Sequence, residues 1–351
     1  MRLSRKIVTT IAATSAAMMM LVGCGAGDGS GQAGNTAGGQ GGTGEQSGSG
    51  QWSLSQLNID FATYNPLSLV VRDQGFLEEA LGPDVYVNWI QSAGSNVANE
   101  FLRAGELHVG STAGAAALQA RANGSPVQVI TVYSQPEWGA LVVRSDSDIN
   151  SVADLAGRRI AAIAGTDPLF FLLQALDQAG LGRSDVQIVS LQHADGRAAL
   201  ERGDVDAWMG LDPIMAAGQF ESDLQLIYRN IDMLSYGTLL ATESFIDNHA
   251  DVAQAVADAY QQARLWALDN PDQLSALLAD VAGIDAQVAS IVIEERTILD
   301  ISPVPGQELL SVLELIGGFF VEDGSVANQG LVDNALATLF APQFAQQAAG
   351  Q

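Results

Sequence analysis

The chain has 351 residues, 15 of them basic and 40 acidic, for a formal net charge of −25. A surface this acidic repels nucleic acid and anionic lipid headgroups and excludes both as ligands. One cysteine excludes a disulfide framework and a thiolate metal cluster, and the length allows two domains of ordinary size.

Taken in chain order, Arg2, Arg5 and Lys6 precede an uncharged, largely apolar run from Ile7 to Gly23. That is a charged n-region and an h-region, too short for a comfortable membrane span. Small residues end it, and Leu21-Val22-Gly23-Cys24 is similar to the lipobox of bacterial lipoproteins. The resemblance implies a diacylglyceryl group on the Cys24 thiol and cleavage just before it. Residues 1–24 therefore read as a lipoprotein signal peptide, and the protein as extracytoplasmic and anchored to the cell membrane. Residues 25–51 are almost entirely small or polar, with Asp28 and Glu45 the only charges, and read as a flexible tether. Lys6 is the only lysine, so the exported chain has 12 arginines as its sole strong cations.

From Leu57 onward strand-like and helix-like segments alternate. Leu57–Phe61 reads as a buried strand, followed by a turn at Thr63–Pro66 and one amphipathic helix to Leu81. Strands follow at Val85–Ile90, Leu107–Gly110 and Val127–Tyr133, with helices at Asn96–Ala104 and Ala113–Ala122. The pattern then restarts with strands at Ala140–Arg144, Arg159–Ile163, Val186–Ser190 and Val205–Met209. Helices are expected at Pro168–Ala179 and Ala194–Arg202, with another starting at Pro213. After a strand at Thr238–Ala241 the chain reads as nearly all helix: Val252–Leu268, Asp272–Val281, Ala286–Glu295 and Leu309–Phe320. Alternation of this kind implies α/β lobes with parallel pairing. The chain is expected to cross between lobes near Pro136–Gly139 and Ser235–Thr238. Residues 52–137 plus 237–351 then form one lobe and 138–236 the other.

Ligands of open α/β sheets bind outside the carboxyl ends of the strands. The loops there carry Asn65, Ser111, Thr112 and Thr166, short donors beside unsatisfied helix N–H groups, a combination suited to anionic oxygens. The same residues also serve as helix caps. Asp167 before Pro168 is a natural N-cap, and His108 falls inside a strand. No Gly-x-Ser-x-Gly elbow and no His-Glu-x-x-His motif occurs, and the three histidines lie in unrelated contexts. An enzyme, a cofactor and a metal site are not expected.

The run from Leu191 to Trp208, through His193-Ala194-Asp195-Gly196-Arg197 and Val205-Asp206-Ala207-Trp208 to Asp212-Pro213, resembles the aliphatic sulfonate-binding branch of the periplasmic binding proteins of ABC importers. Ser151–Gly157, Gly110-Ser111-Thr112 and the stretch from Arg296 to Val304 fall where that branch, with its taurine and nitrate relatives, has similar segments. The resemblance implies a bilobal α/β fold with a two-strand hinge and a helical C-terminal part. It implies a receptor that closes over a small organic anion and presents it to a membrane permease, most simply as a monomer. It adds Trp208, Asp212 and Arg296 to the ligand-binding candidates. Arg296 would offer a bidentate fork to an acidic ligand, or an ion pair to Glu294 or Glu295. Trp208 would face the cleft or pack in the core.

Two departures stand out. Ala113, Gly114 and Ala115 replace the aspartate and prolines usual after this loop. Gly165-Thr166-Asp167-Pro168 replaces a serine-rich loop, and a carboxylate there opposes a bound sulfonate. A neutral, zwitterionic or heterocyclic solute, such as a thiamine-precursor pyrimidine, is the competing expectation, as is a sensor that borrows the fold without transport.

Overall fold

A computed structural model describes residues 52–351; the expected signal peptide, Cys24 and the expected tether lie outside the described residues. The first run of elements is β1 (Gln56–Phe61), α1 (Pro66–Gln74), α2 (Phe76–Leu81), β2 (Tyr86–Gln91), α3 (Ser95–Ala104), β3 (Val109–Ala113), α4 (Gly114–Ala122) and β4 (Val127–Pro136). A second run comprises β5 (Leu141–Arg144), β6 (Arg159–Ala162), α5 (Asp167–Gln178), β7 (Gln187–Ser190), α6 (His193–Arg202), β8 (Ala207–Met209), α7 (Ile214–Glu221) and β9 (Leu224–Tyr228). The chain returns through β10 (Gly237–Thr242), α8 (Glu243–Asn248), α9 (Ala250–Asp269), α10 (Pro271–Ala282), α11 (Ala286–Ser290) and β11 (Thr297–Ile298). It closes with α12 (Gln307–Glu322), α13 (Gln329–Thr338) and α14 (Gln343–Ala348).

Two sheets result. One runs β11-β4-β10-β3-β1-β2, the other β7-β6-β8-β5-β9. The expected all-parallel pairing is corrected to mixed sheets. β1 lies parallel to β2 and β3, but β10 returns antiparallel between β3 and β4. In the other sheet β6 is parallel to β7 and β8, and β5 is antiparallel to β8 and β9. The reversal follows from connectivity, since β10 re-enters the first sheet from the far end after the second sheet is complete. β3 and β10 are buried at every residue, as central strands covered on both faces must be.

Other differences are local. The helix expected through Leu81 breaks into α1 and α2 at Gly75, whose φ of 68° caps α1 in the left-handed region. The third strand runs on to Ala113, so Ser111 and Thr112 belong to a strand rather than a loop. The helix expected over Ala286–Glu295 becomes a π-helix from Ile291.

α5 sits where the two α/β lobes meet. Every residue from Asp167 to Leu176 is buried, the signature of a helix covered all round. Phe170 packs on Phe320 of α12 at 4.8 Å, and Phe171 on Tyr228 of β9 at 5.6 Å. Helices from both halves of the chain thereby share one apolar seam.

Candidate functional site

A cavity of about 820 Å³ lies on the outer face of the six-stranded lobe, beneath Trp52, Phe76 and α9, and the five-stranded lobe contributes nothing to it. A second, of about 550 Å³, is walled by both lobes. Thr63, Gln91 and Ser92 line it from the carboxyl end of β2 and the loops after β1 and β2. Ala194, Arg197 and Pro213 line it from the starts of α6 and α7. The second cavity occupies the position where strand ends meet helix starts, and is the candidate site.

Behind its six-stranded wall is a buried polar network. Asn65 caps α1, accepting from the Ser68 amide at 3.2 Å, and its Nδ2 donates to Ser111 Oγ at 2.7 Å and to the Tyr260 hydroxyl at 3.2 Å. Ser111 in turn donates through both its amide and its hydroxyl, each at 2.8 Å, to one oxygen of Asp60. Tyr64 donates to the Ser111 carbonyl at 2.9 Å. Asp60 is fully buried, and burial pushes its carboxyl up to about 6 against the hydrogen bonds from Ser111. Asp60 and Tyr260 are absent from the sequence candidates. A carboxylate inside the apolar run Leu57–Phe61, at the carboxyl end of the first strand, was the available signal for Asp60.

Two further candidates meet across the lobes. Arg296 Nη1 lies 3.1 and 3.3 Å from the two carboxylate oxygens of Asp212, and Nη2 donates to Gln219 Oε1 at 2.6 Å. Asp212 also accepts the Ala216 amide at 2.8 Å, within α7. Burial pushes Asp212 up to about 6, with Arg296 opposing the shift. The guanidinium expected to face a ligand, or Glu294 or Glu295, thus faces Asp212 and Gln219 instead.

The remaining candidates stand apart. Thr112 alternates with Ser111 along β3, so its hydroxyl points to the opposite face and meets Thr238 Oγ1 at 3.2 Å. Thr166 donates to the Ile163 carbonyl at 2.8 Å and closes its own turn. Trp208 packs in the core of the five-stranded lobe at 1% exposure. A Cβ on Gly196 would lie 2.7 Å from its ring, so the indole needs the glycine opposite it.

Asp167 is the first residue of α5 rather than its N-cap, and it does not turn onto its own helix. Its carboxylate accepts Trp138 Nε1 at 3.0 Å, the Ser235 amide at 2.8 Å and the Ser235 hydroxyl at 2.7 Å. Trp138 and Ser235 belong to the two segments that cross between the sheets, so Asp167 ties both crossings to α5. Burial pushes it, too, up to about 6. Next to it, Gly165 adopts φ 74° and abuts Asn96, with 3.6 Å between its Cβ position and the Asn96 Cβ. A Cβ on Gly94 would lie 3.5 Å from His193 Nε2. His193 is buried, its Nε2 has no partner, and burial pushes its pKa down to about 4. α3 and α6, which begin at this seam, have no side-chain cap bond at their first turns.

Two α/β lobes, a chain that crosses twice between them and a cavity walled by both define the periplasmic-binding-protein fold. The chain belongs to the NMT1/THI5-like family, which it matches over residues 67–274. It is 28% identical over 259 residues to a putative aliphatic sulfonates-binding protein of Escherichia coli K12, covering 73% of this chain and 81% of that protein. It is 27% identical over 214 residues to the taurine-binding periplasmic protein of the same organism, covering 59% and 64%. Among solved structures, the alkanesulfonate-binding protein SsuA from Xanthomonas axonopodis pv. citri, bound to MOPS, superposes with a TM-score of 0.74 at 24% identity, covering 80% of this chain and 97% of that one.

Proposed function

We propose that the protein is the extracytoplasmic solute receptor of an ABC importer, capturing a small organic anion of the aliphatic sulfonate class between its lobes and delivering it to a membrane permease. The carrying observation is the 550 Å³ cavity, walled by strand-end loops and the end of α10 from the six-stranded lobe and by the starts of α6 and α7 from the other. The names of its curated relatives support the same ligand class. Arg197 is bound to Glu201 and Glu221, each at 2.8 Å, and Arg296 to Asp212. Anion recognition therefore falls to backbone N–H groups at uncapped helix starts and to hydroxyls, which bind anionic oxygen without a side-chain cation. Closure of the lobes, driven by binding, would expose a different surface to the permease. Cys24 is the proposed lipid attachment point that keeps the receptor beside it, and the receptor works as a monomer.

A thermal-shift screen of the purified protein against alkanesulfonates, taurine, nitrate, bicarbonate and pyrimidines tests this reading. A ligand at 100 times its dissociation constant adds about 2.7 kcal/mol, or roughly 5–10 °C for a protein of this size. A shift with sulfonates is expected. A shift with pyrimidines alone would keep a receptor but move its ligand class.

A further inference from the structure

The chain crosses between the lobes from β4 to β5 and from β9 to β10, whereas β2 and β7 form the sheet edges remote from those crossings. β2 leads through Gly94 into α3, and β7 leads into α6, which begins at His193. These two connections meet across the lobes. A Cβ on Gly94 would lie 3.5 Å from His193 Nε2 and 3.6 Å from its Cδ2. Their chain neighbours Ala93 and Ala194 line the cavity. The contact therefore stands opposite the crossings, where lobes turning about them part widest.

His193 is ill suited to carry charge there. It is 3% exposed, and its Nε2 has no partner. Asn96 Oδ1 and Gln192 Oε1, from the same two segments, are buried and unpartnered too, but neutral amides supply no countercharge. The starts of α3 and α6, both without side-chain caps, bring the positive ends of two helix dipoles beside the imidazole. On its own helix stand Asp195, Arg197, Glu201 and Arg202, and on the packed elements Glu100 and Arg103 of α3, Glu221 of α7, Arg144 of β5 and Arg159 of β6. Neither these nor the buried Asp60 and Asp167 act on it, since burial alone lowers its pKa, from 6.5 to about 4. An imidazole released into water regains its ordinary affinity for protons, so protons bind the open form in preference to the closed.

We propose that His193 is a proton-operated catch between the lobes: neutral, it lets the seam close over a solute, and protonated, it holds the lobes apart so that acid releases the solute. This rests on the protein being a receptor that closes on its ligand. Between pH 7.5 and 5.0 the ratio of closed to open molecules should fall about thirtyfold, as pKa values of 6.5 open and about 4 closed require.

Dipolar resonance between two spin labels reads the separation without a solute. In a Cys24→Ser background, Tyr86→Cys and Ser184→Cys place the labels at exposed positions, in β2 and just before β7. The purified protein should show a short distance at pH 7.5 that gives way to a longer one at pH 5.0. His193→Gln, and His193→Leu should the first fold poorly, should keep the short distance at both. One distribution at both pH values in the chain that retains His193, short or long, overturns the proposal, as does an unchanged acid response in the variants. Calorimetric titration separates the catch from the ligand class: ethanesulfonate should bind about fivefold or more weakly at pH 5.0 than at 7.5, and only where His193 is present. Tighter binding in acid that depends on His193 would make the imidazolium a cation for the solute and overturn the proposal. No heat from ethanesulfonate at either pH, with the acid-driven separation intact, upholds the catch and overturns the sulfonate reading alone.

Discussion

Asp212 and Arg296 come from different lobes, 84 positions apart in the chain, and are 3% and 7% exposed. A buried ion pair gains little over an apolar pair of the same shape, but removing one partner strands the other. Arg296→Ala should therefore cost about 3–5 kcal/mol in a urea titration, while Arg296→Met combined with Asp212→Asn should recover much of the loss. A cost below that of an ordinary surface substitution would mean the pair opens to water in solution. The pair also illustrates what the sequence could and could not disclose. Both residues were identifiable through the family resemblance, but which one faces the other depends on how two lobes meet. Asn65 and Ser111 were legible as a cap and a strand-end hydroxyl. Asp60, which organises them, was hidden because a strand pattern draws attention to its apolar residues.

At the level of elements, most strands and helices follow from period and caps, within a residue or two. What could not be read were pieces whose existence depends on neighbours: β9, α8, α13 and α14 pack onto surfaces that only the assembled fold provides. The antiparallel return of β10 was likewise invisible, because alternation of strand and helix carries no record of strand direction. In the five-stranded lobe α6 packs close to β8 because position 196 lacks a side chain and the Trp208 ring fills the space. Gly196→Ala should overpack that contact and destabilise the protein by about 1–3 kcal/mol. The same change made together with Trp208→Phe should cost less, and equal costs in the two backgrounds, measured by denaturant unfolding, would place the strain elsewhere.

For the whole molecule, 38 carboxylates face 12 arginines over residues 52–351, and three of those carboxylates are buried in the interior. Asp60, Asp167 and Asp212 each titrate near 6 in the folded state against 3.8 ordinarily. A carboxyl that holds its proton more tightly when folded adds stability as pH falls through that window, about 1 kcal/mol each between pH 7 and 5. His193, pushed down to about 4, works the other way between 6.5 and 4 and removes about as much as one or two of them. His108, also lowered by burial, acts in the same direction as His193. The thermal midpoint should thus be higher at pH 5 than at pH 7, and Asp167→Asn should shrink the rise. A midpoint several degrees lower at pH 5 would contradict these shifts. The path of the chain bears on a different question, the order in which the parts are made. β4 and β10 lie side by side, with Ser134 opposite Gly237, although the entire five-stranded sheet is encoded between them. A ribosome therefore releases β5 to β9 as one uninterrupted run, while the earlier strands still wait for β10 to enter between β3 and β4. Until it arrives, β3 and β4 offer open edges to any passing strand, so the first half of the polypeptide to be synthesised is the last to be safe from misassembly.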